Sequence, residues 1–313
     1  MFQLASGQVM PASGENIDFL STFGAQADPQ WGDDDHIQIV FFLIPKTYKR
    51  PIYLRIFDPE CGGQHDLLTE VPWNTKTNFS VYGGAKAYSE KDAQQYNPGP
   101  NYRSGNLIIS VDFSDKPYDN EWYTLGPFNP AEGEYNKALD GFIFKVIVEG
   151  TEGNDGNVYR LALSTVPKNN IPIPGGNAFT YNYTFRLKNS RTQVAHLYPY
   201  IDNSVISIKQ FNFDFDSEGE IKLYSVAKNG HVLVSSGDKE LSTSEHKVDE
   251  IERGKSMDIQ IAKNQDRVND MTFYILNQYN QAIPFFAIPI GGIPKYNFNI
   301  DIKYDYINKN KSY

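Results

Sequence analysis

The chain contains a single cysteine, Cys61, so no intrachain disulfide can staple it and its core must suffice. No apolar run approaches the ~18 residues that span a bilayer as a helix. No Lys/Arg run marks a membrane or DNA patch. Acidic residues outnumber basic ones 38 to 29, giving a net charge of −9; nucleic acid, which demands a basic footprint, is excluded as the expected partner. Phosphate-loop and nucleophile-elbow signatures are absent, and the five histidines (His36, His65, His196, His231, His246) form no HExxH pair. Helical periods are short: Ser89 to Tyr96, Glu134 to Asp140 and Ser244 to Arg253 are the candidates. None can serve as a βαβ crossover, which excludes a parallel sheet.

Aromatics are abundant: 21 Tyr, 20 Phe and 3 Trp against 4 Met. Such rings favour strands. The 24 Gly and 18 Pro are scattered, as many turns require. In HIQIVFFLIP, Ile37, Ile39, Phe41 and Leu43 share a face opposite His36, Gln38, Val40 and Phe42, so both faces are expected to be covered. PIYLRIFD follows, with Ile52, Leu54 and Ile56 alternating, and is expected to be its hairpin partner. FIFKVIVE and VYRLALS flank the turn GNDGN and read as a second hairpin. Later runs alternate more cleanly. Tyr181, Tyr183, Phe185 and Leu187 form one dry face; Phe211, Phe213 and Phe215 another; Met257, Ile259 and Ile261 a third; Tyr296 to Tyr304 the last.

Residues 166 to 177, VPKNNIPIPGGN, cannot continue a helix or a central strand. With the length prior, they divide the chain into residues 1–168, opened by an extended arm, and residues 175–313. The fold class expected is all-β: two consecutive antiparallel β-sandwich domains of jelly-roll or immunoglobulin-like form.

Two groups of residues suggest binding chemistry. Asp33, Asp34 and Asp35 precede the first strand; Asp58, Glu60 and Asp66 follow the second. If those strands pair, the acids converge at one end of the sheet. A calcium ion takes six to eight oxygens from such loops, so Asp33, Asp35, Asp58, Glu60 and Asp66 are candidate ligands; a solvated acidic loop is the plainer reading. The second group is aromatic. Trp31, Trp73 and Trp122 lie near turns, and Tyr88, Tyr96 and Tyr102 lie in the longest loop, Gly83 to Gly105. Trp73, Tyr88, Tyr96, Tyr102 and Trp122 are candidate carbohydrate-binding residues, against the alternative that the rings simply cover the sandwich ends. Cys61 and His65 are four residues apart, but a reactive thiol needs a depressed pKa and an oxyanion site, and neither is evident. No catalytic residue is assigned.

At HIQIVFFLIP and PIYLRIFDPE, with the acidic run Asp33 to Asp35 ahead of a strand ending in Pro45, the first fifth of the chain resembles pre-peptidase C-terminal-type modules. That resemblance implies a secreted bacterial β-sandwich with an accessory, non-catalytic role, sometimes carrying calcium. The second half resembles immunoglobulin-like sandwiches by general pattern only. Met1 to Gly14 lacks a basic and apolar leader, and its Ser/Gly-rich opening suits a mature protein whose leader has been removed. The functional expectation is a non-enzymatic exported bacterial protein, binding a protein or glycan at the cell surface or in the periplasm. The alternatives are a carbohydrate-binding module or glycan-active enzyme, and a cytosolic structural or assembly subunit.

Overall fold

The computed structural model describes residues 8–29, 35–68, 72–116, 120–216 and 218–292. Strands before the Pro-rich connection are β1 (Val9–Met10), β2 (Ile17–Phe23), β3 (Ile37–Pro45), β4 (Ile52–Phe57), β5 (Lys76–Gly83), β6 (Asn106–Phe113), β7 (Trp122–Phe128), β8 (Glu134–Asn136), β9 (Gly141–Glu152) and β10 (Gly156–Ser164). After it come β11 (Asn177–Thr180), β12 (Asn182–Leu187), β13 (Val194–Leu197), β14 (Tyr200–Ile201), β15 (Ser207–Phe213), β16 (Glu220–Tyr224), β17 (Asn229–Leu233) and β18 (Leu241–Lys247). The last are β19 (Lys255–Ser256), β20 (Asp258–Ala262), β21 (Asn269–Asn277) and β22 (Phe285–Phe286). Short 3₁₀ turns lie at Lys91–Gln94, Pro130–Glu132 and Glu250–Glu252, and no α-helix occurs among the described residues. The expected strand Tyr296 to Tyr304 lies outside the described residues.

The protein is all-β, built of antiparallel sheets packed as sandwiches. A nine-stranded sheet runs β18-β15-β21-β12-β2-β10-β4-β7, with β1 on β10; a seven-stranded sheet runs β22-β11-β3-β9-β5-β6, with β8 on β9. A four-stranded sheet, β13-β20-β16-β17, and the pair β14-β19 complete it. Strands on the two sides of residues 166–177 share both large sheets: β12 pairs with β2, and β11 with β3. One apolar cluster accordingly holds Leu20, Phe42 and Phe144 with Tyr183, Phe273 and Phe285. Each such fully buried ring contributes on the order of 2–3 kcal/mol.

Both expected hairpins are instead arches between sheets. β3 pairs with β9 and β11, whereas β4 pairs with β10 and β7. Likewise β9 lies beside β3 and β5, and β10 beside β2 and β4. The GNDGN turn carries the chain across the sandwich because Asp155, fully buried, accepts from the Asn74 N–H (2.8 Å) and ties the turn to the start of β5. The backbones close tightly there: a Cβ on Gly150 would sit 1.9 Å from the Phe23 carbonyl oxygen. Strands covered on both faces carry no signal that distinguishes an arch from a hairpin.

A third crossing lies at Thr180–Asn182, where β11 in one sheet becomes β12 in the other. Gln38, 2% exposed, spans it. Its Nε2 donates to Thr180 Oγ1 (3.1 Å) and the Asn182 carbonyl (2.7 Å), while its Oε1 accepts from the Thr184 N–H (3.0 Å). Polar groups that the interrupted ladder would strand are thereby paired.

The expected dry faces hold at β12 (Tyr183, Phe185, Leu187) and β20 (Ile259, Ile261). They reverse at β15. Gln210 and Asn212 are buried, while Phe211 and Phe213 face outward, half-buried. The interior beside β15 contains the irregular segment 234–236, whose backbone needs partners. Asn212 donates to the Val234 carbonyl (2.8 Å) and accepts from the Ser236 N–H (2.7 Å). Asp214, at φ 61°, then turns the chain so that Phe215 points inward, fully buried.

Gln38→Leu should lower stability by about 1–3 kcal/mol, since it removes the side-chain acceptor of the buried Thr184 N–H while Thr180 and Asn182 keep each other; urea denaturation measures this. A second test concerns Glu15, fully buried, which accepts from the Ala12 N–H (2.5 Å) and the Tyr183 hydroxyl (3.0 Å). Burial pushes its carboxyl up to about 8. The folded state therefore holds a proton that the unfolded chain releases near its ordinary 4.5. Stability falls as pH rises between those values, by at most about 1.4 kcal/mol per pH unit. Glu15→Gln should raise the melting midpoint at pH 8 and lose that advantage at pH 4, as read by thermal melts.

Candidate functional site

The 84–105 loop caps the outer face of the seven-stranded sheet, where a second apolar cluster collects Ile39, Phe41, Ile143, Ile147, Phe179 and Tyr181. Alternate residues of β3 and β9 supply it because both faces of those strands are apolar. The loop is anchored from below by Lys145, fully buried on β9, which donates to the carbonyls of Tyr102 (2.5 Å) and Ser104 (2.6 Å). Burial pushes the Lys145 ammonium down to about 8. Tyr88 packs edge-on against Phe41 (5.5 Å) and Phe179 (5.8 Å), and Glu134 accepts from the N–H groups of Tyr88 and Ser89 (2.5 and 2.9 Å).

The tip of this loop separates two clefts. The first, 380 Å³, has a floor formed by the outward face of the nine-stranded sheet: Leu241, Phe213, Thr272, Tyr274 and Asn182. Its walls are Asp35–Ile37 and Tyr96–Pro98. Tyr96 stacks on Tyr274 (4.4 Å, 10°), which stacks on Phe211 (4.6 Å, 11°), and Tyr96 remains 42% exposed. Asp35 accepts from Asn182 Nδ2 (3.2 Å) and from the Thr272 hydroxyl. The second cleft, 630 Å³, is lined by tyrosines (Tyr88, Tyr181, Tyr200) and by amides including Gln95, Asn136, Asn280 and Gln281. Between them a water-sized gap of about 10 Å³ runs under the loop, bordered by Pro98 and Asn182 from the first cleft and Gln95 and Tyr181 from the second.

Of the five aromatic candidates, Tyr96 and Tyr88 line these clefts and the others do not. Tyr102 is a loop anchor, its hydroxyl donating to Glu149 (3.1 Å) beneath the Arg103 guanidinium. Trp122 opens the edge strand β7, tilted against Phe57 (5.4 Å) under Arg55 (4.8 Å). Trp73, half-buried, precedes the segment that holds Asp155. Trp31 lies outside the described residues. Tyr274, Phe211 and Phe213 were not foreseen as site residues. Tyr274 sits in MTFYIL, a run interrupted only by Thr272 and without a clear period, and the outward turn of Phe211 and Phe213 depends on the reversal of β15.

Asp33 and Asp34 also lie outside the described residues. Asp35, Asp58, Glu60 and Asp66 do not form a group with mutually close oxygens. The reason is the arch: β3 and β4 lie in different sheets, so Asp35 joins the first cleft while the other three follow β4. Asp58 and Glu60 are buried. Asp66 accepts from the N–H groups of Gly62 (2.5 Å) and Val158 (2.7 Å), and burial raises its carboxyl well above the usual range. Beside it Cys61 is fully buried, and burial, Asp66 and Asp155 all push its thiol up. That is the opposite of what a nucleophilic thiolate requires.

Among the described residues, the three acids whose oxygens lie within 4.8 Å of one another are Asp214, Asp216 and Asp238. The turn after β15 brings the first two together. Arg267 donates to Asp216 (2.7 Å), and the Lys239 N–H donates to Asp214 (2.7 Å). Burial and the neighbouring Asp216 push Asp214 up to about 7. An arginine and a shared proton thus offset much of the like-charge repulsion, and three carboxylates offering one oxygen each supply only part of the six to eight of a calcium shell.

No family model matches the chain, and no curated protein matches it. Among solved structures, the VP2 subviral particle of infectious bursal disease virus is 9% identical, with 87% of this chain and 77% of that one covered, at a TM-score of 0.14. A score that low supports no inference. No helix among the described residues is long and apolar enough to cross a membrane.

Asp214→Asn keeps an acceptor for Lys239 and removes the titration. The folded state binds the extra proton between the ordinary 3.8 and about 7, so native Asp214 lowers stability as pH rises through that window. The variant should melt higher than the native protein at pH 8 and equal to it at pH 3.5, as read by calorimetry.

Proposed function

We propose that this is an exported, non-enzymatic binding protein whose ligand is a carbohydrate held in the cleft beneath Tyr96. One observation carries the reading: β15 turns its rings outward. Most strand phenylalanines of the sandwich are buried, Phe57 and Phe142 being half-buried. Here Phe211 and Phe213 stay half-buried on the surface while two amides occupy the core. Exposing rings and burying amides costs stability, and departures from local pattern of this kind concentrate at functional sites. The rings do not lie bare; they continue through Tyr274 into a stack topped by Tyr96.

The chemistry of the cleft suits a sugar. A pyranose offers a flat C–H face and a rim of hydroxyls, each of which donates and accepts. Tyr96 offers an exposed ring and Asn97 an amide on one wall, while Asn182 and Thr272 on the floor are engaged with Asp35. Asp35 lies at the side, its carboxylate held by Asn182 and Thr272; an ionised carboxylate is an acceptor, the complement of a sugar hydroxyl's proton. A stacked platform with a few convergent polar groups is the form of a small-ligand site.

A glycan array should yield binding to at least one neutral saccharide. Tyr96→Ala should then weaken that saccharide about tenfold, on the order of 1.4 kcal/mol, with the melting midpoint little changed because Tyr96 is an exposed loop residue. Absence of binding to every glycan would overturn the reading.

A further inference from the structure

We infer that the larger cleft is a second part of the same binding site, so that the ligand is a linear oligosaccharide lying across the loop tip. This rests on the carbohydrate reading of the first cleft and extends it to a class of ligand.

Consecutive residues divide the two clefts. Gln94 and Gln95 line the larger; Tyr96, Asn97 and Pro98 line the smaller. The loop between them is a low saddle, with Gln95, Tyr96 and Asn97 all exposed at its crest. The saddle is rigidly held. Asp92 Oδ2 accepts from both the backbone and the side-chain amide of Asn101 (2.8 Å each), and Lys145 holds the loop's far end. The gap under it admits about one water, so the passage between clefts runs over Tyr96 and not beneath it. A chain stacked on Tyr96 that extends beyond one sugar therefore has the larger cleft as its next recess.

The larger cleft is fitted to hydroxyls and not to charge. Its two ionic groups are already engaged: Lys91 donates to Gln94 Oε1 (2.9 Å), and Asp202 accepts from the Ser204 N–H and hydroxyl (2.6 Å each). Its open groups are neutral. The Gln95 and Asn280 amides have no hydrogen-bond partner among the described residues. An amide supplies a donor and an acceptor together, the complement of a sugar hydroxyl. Tyr200 adds a half-buried ring against Phe286 (6.0 Å) on the opposite wall. A peptide would be held through backbone pairing at a strand edge; β22 borders this cleft, but its backbone is paired with β11 on one side and with residues 198–200 on the other.

The test is calorimetric titration of the full chain with gluco-, xylo-, manno- and chito-oligosaccharides of one to six units. Affinity should rise by at least about tenfold between the shortest ligand that binds and the longest, then level off. Gln95→Ala and Asn280→Gly should abolish that rise while leaving the affinity for the shortest ligand unchanged. Glycine accepts the backbone of Asn280, at φ 58°, so the fold is spared, and matched melting curves check this. Tyr96→Ala should weaken ligands of every length. Equal affinity at all lengths, or no effect of the two substitutions on long ligands, overturns the inference while leaving the first cleft's reading intact. Failure of every saccharide to bind overturns both.

Discussion

A buried amide holds the two large sheets to one another. Where β11 gives way to β12 the chain leaves one layer of the sandwich for the other, and a sheet ladder cannot follow it. Three polar groups lie at that step: the Thr180 hydroxyl and the Asn182 carbonyl, which also bond to each other (2.6 Å), and the Thr184 N–H. Gln38, reaching from β3, meets all of them with one side chain. Because β11 and β12 belong to the second half of the chain and β3 to the first, the same contact joins the halves. β12 pairs with β2 beside this contact, and that pairing makes the nine-stranded sheet continuous.

Other buried polar groups work in the same manner. Asp155 secures the arch from β9 to β10, Asn212 serves the irregular backbone behind β15, and Lys145 fastens the 84–105 loop. Arg186 meets Asp270 through two bonds (2.7 and 2.6 Å) and also donates to the His65 carbonyl, tying a loop of the first half to β12 and β21. Each of these groups costs desolvation and returns it only with its partners in place. Their common effect is specificity of path. Apolar strands covered on both faces would pack nearly as well in several orders, and it is the polar contacts that distinguish one order from the rest.

The candidate site inherits its shape from those choices. Filling the interior beside β15 with amides turns its rings outward, and anchoring the loop over the seven-stranded sheet brings Tyr96 onto them. The two clefts are then consequences of one loop laid across the joint between sheets. Their linings differ because one borders the outward rings and the other borders the amide-rich turn after β21.

The sequence alone determined the fold class. Period-two alternation, many turns and no long helical period require antiparallel strands, and the loop from Gly83 to Gly105 was legible as the segment too long to be a simple connection. Tyr88 and Tyr96 were legible with it, as aromatic residues in a polar stretch. Strand partners were not. HIQIVFFLIP and FIFKVIVE are apolar on both faces, so adjacency in sequence was the only guide, and it pointed to hairpins where the chain makes arches. Asp35 is parted from Asp58, Glu60 and Asp66 for that reason, and Trp73, Trp122 and Tyr102 lie away from the two clefts. Which face of β15 is dry, and hence that Tyr274 and Phe211 underlie Tyr96, depends on hydrogen bonds to residues 234–236, distant in sequence. Alternation records that a strand has two unlike faces; only long-range polar partners decide which of them is turned inward.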